Sequence, residues 1–281
     1  MRQSLERRQF LQAIGVQLLA GCGVIATNHP QPSTTLTLSA AASLQTLLQT
    51  LHPLFQTQFP HLKLSFNFGS SGALQRQIEQ GAQVDLFLSA ASSHMDALER
   101  QNLIAVGTRR SLFQNRIVLV TAQHIDGVKS FQDLLGDRIE TVAIGHPNSV
   151  PVGTYAQETL ESLNLYQALK PKLIYGKDAR QVLTYVTTGN VDAALVYGSD
   201  VMQSHAVKKI AVAQESWHSP IVYPGGAIAN SPNLNAAITF LDFLQSKPAQ
   251  QQIAAQGFQT LETLEQRSQT SSQPIKPTKA D

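Results

Sequence analysis

The sequence is poor in the residues that build several common kinds of functional site. Cys22 is the one cysteine among 281 residues, which excludes an internal disulfide and a cysteine-cluster metal site. Charged residues make up 14% of the chain, with 21 Lys and Arg against 19 Asp and Glu. No basic cluster is interleaved with aromatic residues, so nucleic acid is not predicted as a partner. No His-x-x-x-His spacing occurs either, which argues against a zinc enzyme.

The first 21 residues are typical of an export signal rather than of a folded segment. Residues 4–12, SLERRQFLQ, resemble a twin-arginine signal, and residues 19–22, LAGC, resemble a bacterial lipobox. In proteins with a lipobox the cysteine becomes the lipidated first residue. We therefore predict export and lipid anchoring through Cys22, in the periplasm or at the outer face of the cytoplasmic membrane. The alternative is a short buried helix with an incidental cysteine.

Composition also indicates where the folded body of the chain begins and ends. Residues 22–34 are predicted to form a polar tether. Residues 264–281 are rich in Ser, Gln, Pro and Lys without apolar periodicity, and we predict that this tail is disordered. The folded body is therefore expected between residues 35 and 263.

Within this body, short apolar segments alternate with longer segments of helical periodicity. Strands are predicted at residues 36–39, 62–68, 84–89, 116–121, 141–145, 172–175, 193–197 and 221–229. Helices are predicted at residues 44–59, 72–80, 92–101, 154–163, 179–188, 233–245 and 248–256. This alternation indicates an α/β fold with largely parallel sheets.

Four strand-to-helix joints carry small or polar residues: 39–44, 69–72, 145–154 and 175–180. Ligands of open parallel sheets bind beyond the carboxyl ends of the strands. Helix N-termini at such places offer unpaired N–H groups and a partial positive charge, which attract anions. Several of them aimed at one point could hold an anion without Lys or Arg. In the fourth joint, Asp178 and Gln181 have capping-box spacing and predict a helix start.

The serines at these joints allow more than one interpretation. Ser43 and Ser71 could each cap a helix, bind a ligand oxygen, or do both. Residues 69–73, GSSGA, also differ by one residue from the nucleophile elbow of serine hydrolases, so an acyl hydrolase that uses Ser71 is an alternative. We assign Ser70 and the neighbouring glycines to shaping the turn.

Several segments resemble the periplasmic molybdate-binding proteins of ABC-type importers, and the similarity extends from about residue 36 to residue 258. The segments are AASL at 41–44, FGSSGALQRQIEQGAQVDLFLSA at 68–90, VPVGTYAQETL at 150–160, DARQVL at 178–183 and ALVYGSD at 194–200. The resemblance implies a two-lobed α/β fold of the type II periplasmic binding protein arrangement, with a ligand cleft between lobes joined by two crossover segments. It also implies no catalytic activity and no cofactor.

By this resemblance the oxyanion is bound by Ser43, Ser71, Val152, Ala179 and Tyr197. The serines would donate hydroxyl and backbone hydrogen bonds, Val152 and Ala179 their N–H groups, and Tyr197 its phenol. Molybdenum would be bound only within the oxyanion. The family more often has Ala in place of Val152 and Val in place of Ala179, which should matter little for backbone donors. For Tyr197 the alternative is packing in a lobe interface.

The resemblance further implies lobe 1 at residues 35–112 and 223–263 and lobe 2 at residues 113–222. Arg180 is interpreted as part of a surface or interlobe salt bridge rather than as an anion clamp. The predicted ligand is molybdate, with tungstate as a second ligand, and the predicted partner of this monomer is an ABC importer permease in the inner membrane. Sulfate or another tetrahedral oxyanion is the alternative ligand. A ligand-sensing domain coupled to a membrane receptor is the alternative function.

Overall fold

The structure is a computed structural model that describes residues 33–202 and 204–260. The predicted export signal, the lipobox with Cys22, nearly all of the tether and the predicted disordered tail lie outside the described residues. The body that carries the candidate site lies within them.

The described residues form two β-sheets with α-helices between the strands. The strands are β1 (Thr34–Ala41), β2 (Leu62–Gly69), β3 (Leu86–Leu88), β4 (Arg110–Gln114), β5 (Ile117–Ala122), β6 (Val142–Gly145), β7 (Leu173–Gly176), β8 (Ala193–Tyr197), β9 (Val207–Val212), β10 (Val222–Ala227) and β11 (Gln259–Thr260). The helices are α1 (Gln45–Gln58), α2 (Ser71–Glu79), α3 (Ser92–Arg100), α4 (Pro151–Ser162), α5 (Tyr166–Leu169), α6 (Ala179–Thr187), α7 (Gly198–Met202), α8 (Leu234–Gln245) and α9 (Lys247–Ala255).

The strand order is β11-β4-β10-β3-β1-β2 in the first sheet and β7-β6-β8-β5-β9 in the second. In the first sheet β1 is parallel to β2 and β3, and in the second sheet β6 is parallel to β7 and β8. The strands β4, β5, β9, β10 and β11 all pair antiparallel. The prediction of largely parallel sheets is therefore wrong, and both sheets are mixed. Parallel neighbours need a crossover connection between them, usually a helix. Several of the antiparallel strands flank the points where the chain passes between the sheets, and no crossover helix turns the chain back there.

The chain changes sheet twice among the described residues. Two residues, Asn115 and Arg116, separate β4 of the first sheet from β5 of the second. The return runs from the end of β9 at Val212 to the start of β10 at Val222. These two short passages bring side chains from both sheets into one region.

Every predicted strand and helix is present, with ends that differ by a few residues. The strands β4, β9 and β11 and the short helices α5 and α7 were not predicted. β9 contains two lysines and is half-exposed along most of its length, so it lacks the apolar pattern of the central strands. Helix α4 begins three residues earlier than predicted, at Pro151, because proline suits the first helical position.

Apolar packing between helices and sheets forms the core. Phe55 of α1 is fully buried and contacts Phe240 and Phe243 of α8, with ring centroids 5.0 and 5.1 Å away. All six residues of β5 are buried, as expected for a central strand covered on both faces. This packing holds the ends of the central strands in place around the candidate site.

Candidate functional site

A small cavity lies where the carboxyl ends of six strands meet, three from each sheet. β1, β2 and β3 are parallel neighbours in the first sheet, and β6, β7 and β8 are parallel neighbours in the second. The lining residues end these strands or follow them: Ala41, Ala42, Ser43, Gly69, Ser70, Ser71, Ala90, Val150, Pro151, Val152, Ala179 and Tyr197. The cavity therefore occupies the position at which open α/β sheets bind ligands.

All five residues of the predicted oxyanion site line this one cavity. Ser43 and Ser71 come from the first sheet, whereas Val152, Ala179 and Tyr197 come from the second. Their convergence is a property of the described structure, and their contact with a ligand stays a prediction.

The cavity is small, and its wall is neutral. The space open to the centre of a water-sized sphere is about 10 Å³, far less than the roughly 300–1,000 Å³ of pockets that hold drug-sized molecules. No described residue of the lining has an ionisable carboxylate, amine or guanidinium group. A ligand in this cavity must therefore be small and must interact with dipoles rather than with opposite charges.

Helices α2, α4 and α6 all begin at this cavity. The N–H groups in the first turn of a helix have no acceptor within that helix. Among the residues that the structure describes, no acceptor is found for the N–H groups of Ser71, Val152 and Ala179. Three backbone donors and the positive ends of three helix dipoles thus surround the same space, which is favourable for an anion.

The α6 start has the predicted helix cap. The Asp178 carboxylate accepts a hydrogen bond from the Gln181 N–H at 2.8 Å, and the Gln181 side-chain oxygen accepts one from the Lys177 N–H at 2.7 Å. The first bond is the predicted cap and fixes the point at which the helix begins, whereas the second reaches Lys177, one residue before the Asp178 N–H of a standard capping box. This prediction is confirmed, and it explains why Ala179 is the first helical residue.

Ser71 does not cap helix α2, contrary to one interpretation of the sequence. The cap is Ser70, whose Oγ accepts a hydrogen bond from the Ala73 N–H at 3.3 Å. Ser71 is the first helical residue, and its buried Oγ accepts a hydrogen bond from the Ala90 N–H at 3.0 Å. Since that bond occupies a lone pair, the hydroxyl proton is free to point elsewhere.

Ser43 is not a helix cap either. It lies within a short 3₁₀ turn, Ala42–Leu44, which leads into α1 and has no side-chain cap. The Ser43 Oγ lies 3.0 Å from the hydroxyl oxygen of Tyr223 on β10, and both side chains are buried. Its partner is therefore a distant aromatic residue rather than the local backbone.

Tyr197 has a buried hydroxyl without a hydrogen-bond partner among the described residues. Its ring lies edge-on to that of Tyr223 with centroids 5.8 Å apart, but the hydroxyl does not reach hydrogen-bond geometry. Burial, followed by the proximity of Tyr223, raises the pKa of Tyr197 well above its ordinary value. The phenol therefore keeps its proton, and a buried donor without an acceptor is costly unless a ligand supplies one.

Two hydrogen bonds join the margins of the cavity across the two sheets. The Gly72 N–H donates to the Ser149 carbonyl oxygen at 3.1 Å, and a Cβ on Gly72 would lie 2.8 Å from that oxygen. The Arg180 guanidinium donates to the Thr46 hydroxyl at 3.2 Å. Within the described ranges no salt bridge of Arg180 is found, and its direct partner there is this neutral hydroxyl, so the predicted salt bridge is not confirmed.

A buried carboxylate lies beside the cavity. Asp200 on α7 is 3% exposed, and its Oδ2 accepts a hydrogen bond from the Tyr197 N–H at 3.2 Å. Burial raises the pKa of Asp200 to about 7, although the Tyr197 N–H and the positive charge of Arg180 act in the opposite direction. At neutral pH this group is partly protonated, so it adds less than a full negative charge near the site.

The arrangement does not match a hydrolase or a metal centre. The Ser71 hydroxyl bonds a backbone N–H, and the ring of His94, the histidine on α3, contacts Gln75 at 2.6 Å instead of the serine. Within residues 33–202 and 204–260, no group of three or more His, Cys, Asp or Glu side chains is placed to hold a metal ion.

Sequence reasoning missed several residues of the region. Ala90 follows β3 in the small-residue segment SAAS, at a joint of the same type as the four that were considered. Ser70 lines the cavity in addition to capping α2. Asn115, Tyr223 and Asp200 had no local signal, because their positions depend on which strands are neighbours.

Two mixed α/β sheets with a small cavity between the carboxyl ends of their parallel strands define a two-lobed periplasmic binding protein. Solved structures have the same fold. The periplasmic molybdate-binding protein of Azotobacter vinelandii matches with a TM-score of 0.73 at 22% identity, over 79% of this chain and 98% of that one. The substrate-binding domain of a candidate molybdenum ABC transporter from Clostridium difficile matches with a TM-score of 0.65 at 38% identity, over 82% and 100%.

The chain belongs to the family of bacterial extracellular solute-binding proteins, whose family model matches residues 36–259. YvgL of Bacillus subtilis, named as a candidate ABC transporter substrate-binding lipoprotein, is 42% identical over 89% of this chain and 96% of its own length. The molybdate-binding protein ModA of Haemophilus influenzae is 33% identical over 80% and 90%. These relatives are solute-binding proteins and not enzymes, which rules against the acyl hydrolase alternative. None of the described helices has the length and apolar character needed to cross a membrane.

Proposed function

We propose that this protein captures molybdate, and tungstate with it, in the cavity between its two sheets and delivers the anion to an ABC importer. The observation that carries the proposal is the convergence of Ser43, Ser71, Val152, Ala179 and Tyr197 on one small neutral cavity. Relatives named as molybdate-binding proteins support the choice of anion, among them ModA of Haemophilus influenzae and ModA of Escherichia coli, which is 32% identical over 86% of this chain.

The donor groups of the cavity suit a fully deprotonated anion. Removing a dianion from water is favourable only if hydrogen bonds replace its hydration. The cavity offers the three free N–H groups, the hydroxyl of Tyr197 and the hydroxyls of the two serines. No lining carboxylate is present among the described residues to accept a proton from a partly protonated ion such as hydrogen phosphate. A site with donors only therefore favours molybdate, tungstate or sulfate over hydrogen phosphate.

An anion panel tests this function. Isothermal titration calorimetry on the purified protein should show binding of molybdate and tungstate near one to one, with much weaker binding of sulfate and phosphate. Comparable affinity for sulfate would identify a sulfate or general oxyanion carrier instead. No heat with any of these anions, in a protein with a normal circular dichroism spectrum, would refute the oxyanion site altogether.

We further propose that residues 35–112 with 223–263 and residues 113–222 form the two lobes of a monomer that closes on the ligand. An anion bound by donors from both lobes favours the closed arrangement, and closure would mark the loaded protein for the permease. Small-angle X-ray scattering should then show a smaller radius of gyration, and the mass of one chain, after molybdate is added. An unchanged radius would exclude ligand-induced closure.

A lipid anchor at Cys22 would keep the exported protein beside its permease. The support is the lipobox at residues 19–22 together with the lipoprotein name of YvgL. Fractionation of cells that express the full chain should find it with the membranes.

A further inference from the structure

A chain of buried polar side chains ends at Ser43, on the wall of the cavity. Asn115 Nδ2 lies 3.4 Å from the Tyr223 hydroxyl oxygen, which in turn lies 3.0 Å from the Ser43 Oγ. Asn115 and Ser43 are each 5% exposed, and Tyr223 is fully buried. The three residues come from the first passage between the sheets, from β10 and from the turn after β1.

The direction of the Asn115 amide is set by backbone groups. Its Oδ1 accepts hydrogen bonds from the N–H groups of Arg116 at 3.0 Å and of Ser199 at 3.4 Å. A backbone N–H can only donate, so the oxygen of the amide must face these two groups. The NH₂ group then faces the Ser199 Oγ, at 2.9 Å, and the Tyr223 hydroxyl. Asn115 is thus a donor to Tyr223.

The donor direction set at Asn115 also sets the direction of the hydrogen bond between Tyr223 and Ser43. The buried Tyr223 proton needs an acceptor, and the Asn115 NH₂ group can only donate, so this proton is directed to the Ser43 Oγ, which lies within hydrogen-bond distance. Burial is the main reason that the pKa of Tyr223 lies far above its ordinary value, so the phenol keeps that proton. The Ser43 oxygen accepts from Tyr223, and its remaining proton is free to point into the cavity.

We propose that Asn115 and Tyr223 are positioning residues that fix Ser43 as a hydrogen-bond donor toward the bound anion. The inference rests on the oxyanion function proposed above. The donor direction begins at two backbone N–H groups, so it requires no charged residue and no rearrangement when the anion enters. These hydrogen bonds also link the ligand site to both passages between the sheets, because Asn115 lies in the first passage and Tyr223 lies just after the second.

Asn115→Asp should reverse the donor-to-acceptor direction of these hydrogen bonds with almost no change in side-chain volume. The carboxylate keeps the two backbone hydrogen bonds but can only accept, so Tyr223 must donate to it and must accept from Ser43. The serine proton then points away from the cavity. Loss of one hydrogen bond to a charged group corresponds to roughly 10-fold or more in affinity, and a lone pair facing the anion adds to it, so we expect molybdate affinity to fall by about 30-fold or more.

The new negative charge could also repel the anion directly, and Tyr223→Phe separates the two effects. The phenylalanine keeps the ring, which packs against Phe113 at 5.1 Å and Phe258 at 5.5 Å, but interrupts the chain. Alone it should weaken binding about 3- to 10-fold. In the Tyr223→Phe variant, Asn115→Asp should lower molybdate affinity by at most about a further 3-fold, because no hydroxyl then connects residue 115 to Ser43. Tyr155→Phe, a buried phenol beside Tyr197 that does not line the cavity, is the matched control and should change affinity less than about 2-fold.

The outcomes separate the inference from the function. An equal loss from Asn115→Asp with and without the Tyr223 hydroxyl would overturn the positioning role and leave the oxyanion function standing. A wild-type protein that binds no oxyanion would overturn both. If Asn115→Asp does not fold, the effect of Tyr223→Phe on molybdate affinity is measured in a Ser43→Ala variant instead. If Tyr223→Phe causes no further loss of affinity there, Tyr223 acts through Ser43 as proposed. A loss equal to that in the wild type would refute the proposal.

Discussion

Replacement of Asp200 by asparagine should remove a pH-dependent loss of stability that the wild-type protein suffers between about pH 4 and pH 7. Asp200 is 3% exposed, and burial raises its pKa from 3.8 to about 7. The unfolded chain loses this proton near pH 4, whereas the native protein holds it until near pH 7. The native state therefore binds more protons in this window, and stability falls as the pH rises through it.

The size of the effect follows from the two pKa values. A difference of about three pH units corresponds to about 4 kcal/mol at 1.36 kcal/mol for each unit. The penalty is absent below about pH 4, grows as the pH rises and is complete above about pH 7. Asparagine is neutral at every pH, and its side-chain oxygen can still accept the Tyr197 N–H. We therefore expect Asp200→Asn to match the wild type at pH 4 and to exceed its stability at pH 8 by up to about 4 kcal/mol.

Urea unfolding at intervals from pH 4 to pH 8, at constant ionic strength, measures this difference. Asp133→Asn is a suitable control because the sign is opposite. A hydrogen bond from the Lys129 N–H lowers the pKa of Asp133, so the wild-type carboxylate stabilises the protein at neutral pH and loses this effect as the pH falls. Parallel stability curves for the wild type and Asp200→Asn would show that Asp200 titrates normally, and the reasoning from burial would then fail.

Three further perturbations test the site and the anchor. Ser71→Ala should weaken molybdate binding by about 1–3 kcal/mol, the value of one hydrogen bond to a charged group, and unchanged affinity in calorimetry would remove this serine from the site. Gly72→Ala should weaken binding as well, because its methyl group would lie 2.8 Å from the Ser149 carbonyl oxygen across the cavity margin; an unchanged molybdate affinity in calorimetry would contradict this. Cys22→Ser should release the protein from membranes, and a variant that stays in the membrane fraction would argue against the lipobox.

Much of the fold could be predicted because its signals are local. Apolar periodicity indicates which side chains of one segment share a face, and it located eight of the eleven described strands and most helices. The same patterns fail for β9, whose lysines interrupt its apolar face, and for β11, which has two residues. Strand direction was also predicted incorrectly, since the period of a strand is the same whether its neighbour is parallel or antiparallel.

The candidate site divides in the same way. The resemblance of short segments singled out five of the lining residues, and small-residue joints after strands explain why backbone donors are accessible there. Local sequence could not show that Ser70 rather than Ser71 caps α2, because both serines can accept a hydrogen bond from a nearby N–H. That distinction depends on the Ala90 N–H, which β3 places against the Ser71 hydroxyl.

By itself, then, the sequence determined most of the elements, the start of α6 and the small residues at the joints, since each of these depends on neighbours along the chain. Only the tertiary structure decided the partners of Ser43 and the burial of Asp200. Ser43 and Tyr223 are 180 positions apart, and they meet because β1 pairs with β3 and β3 pairs with β10. Such contacts arise from the order of strands in a sheet, which is a property of the packed chain and not of any local pattern.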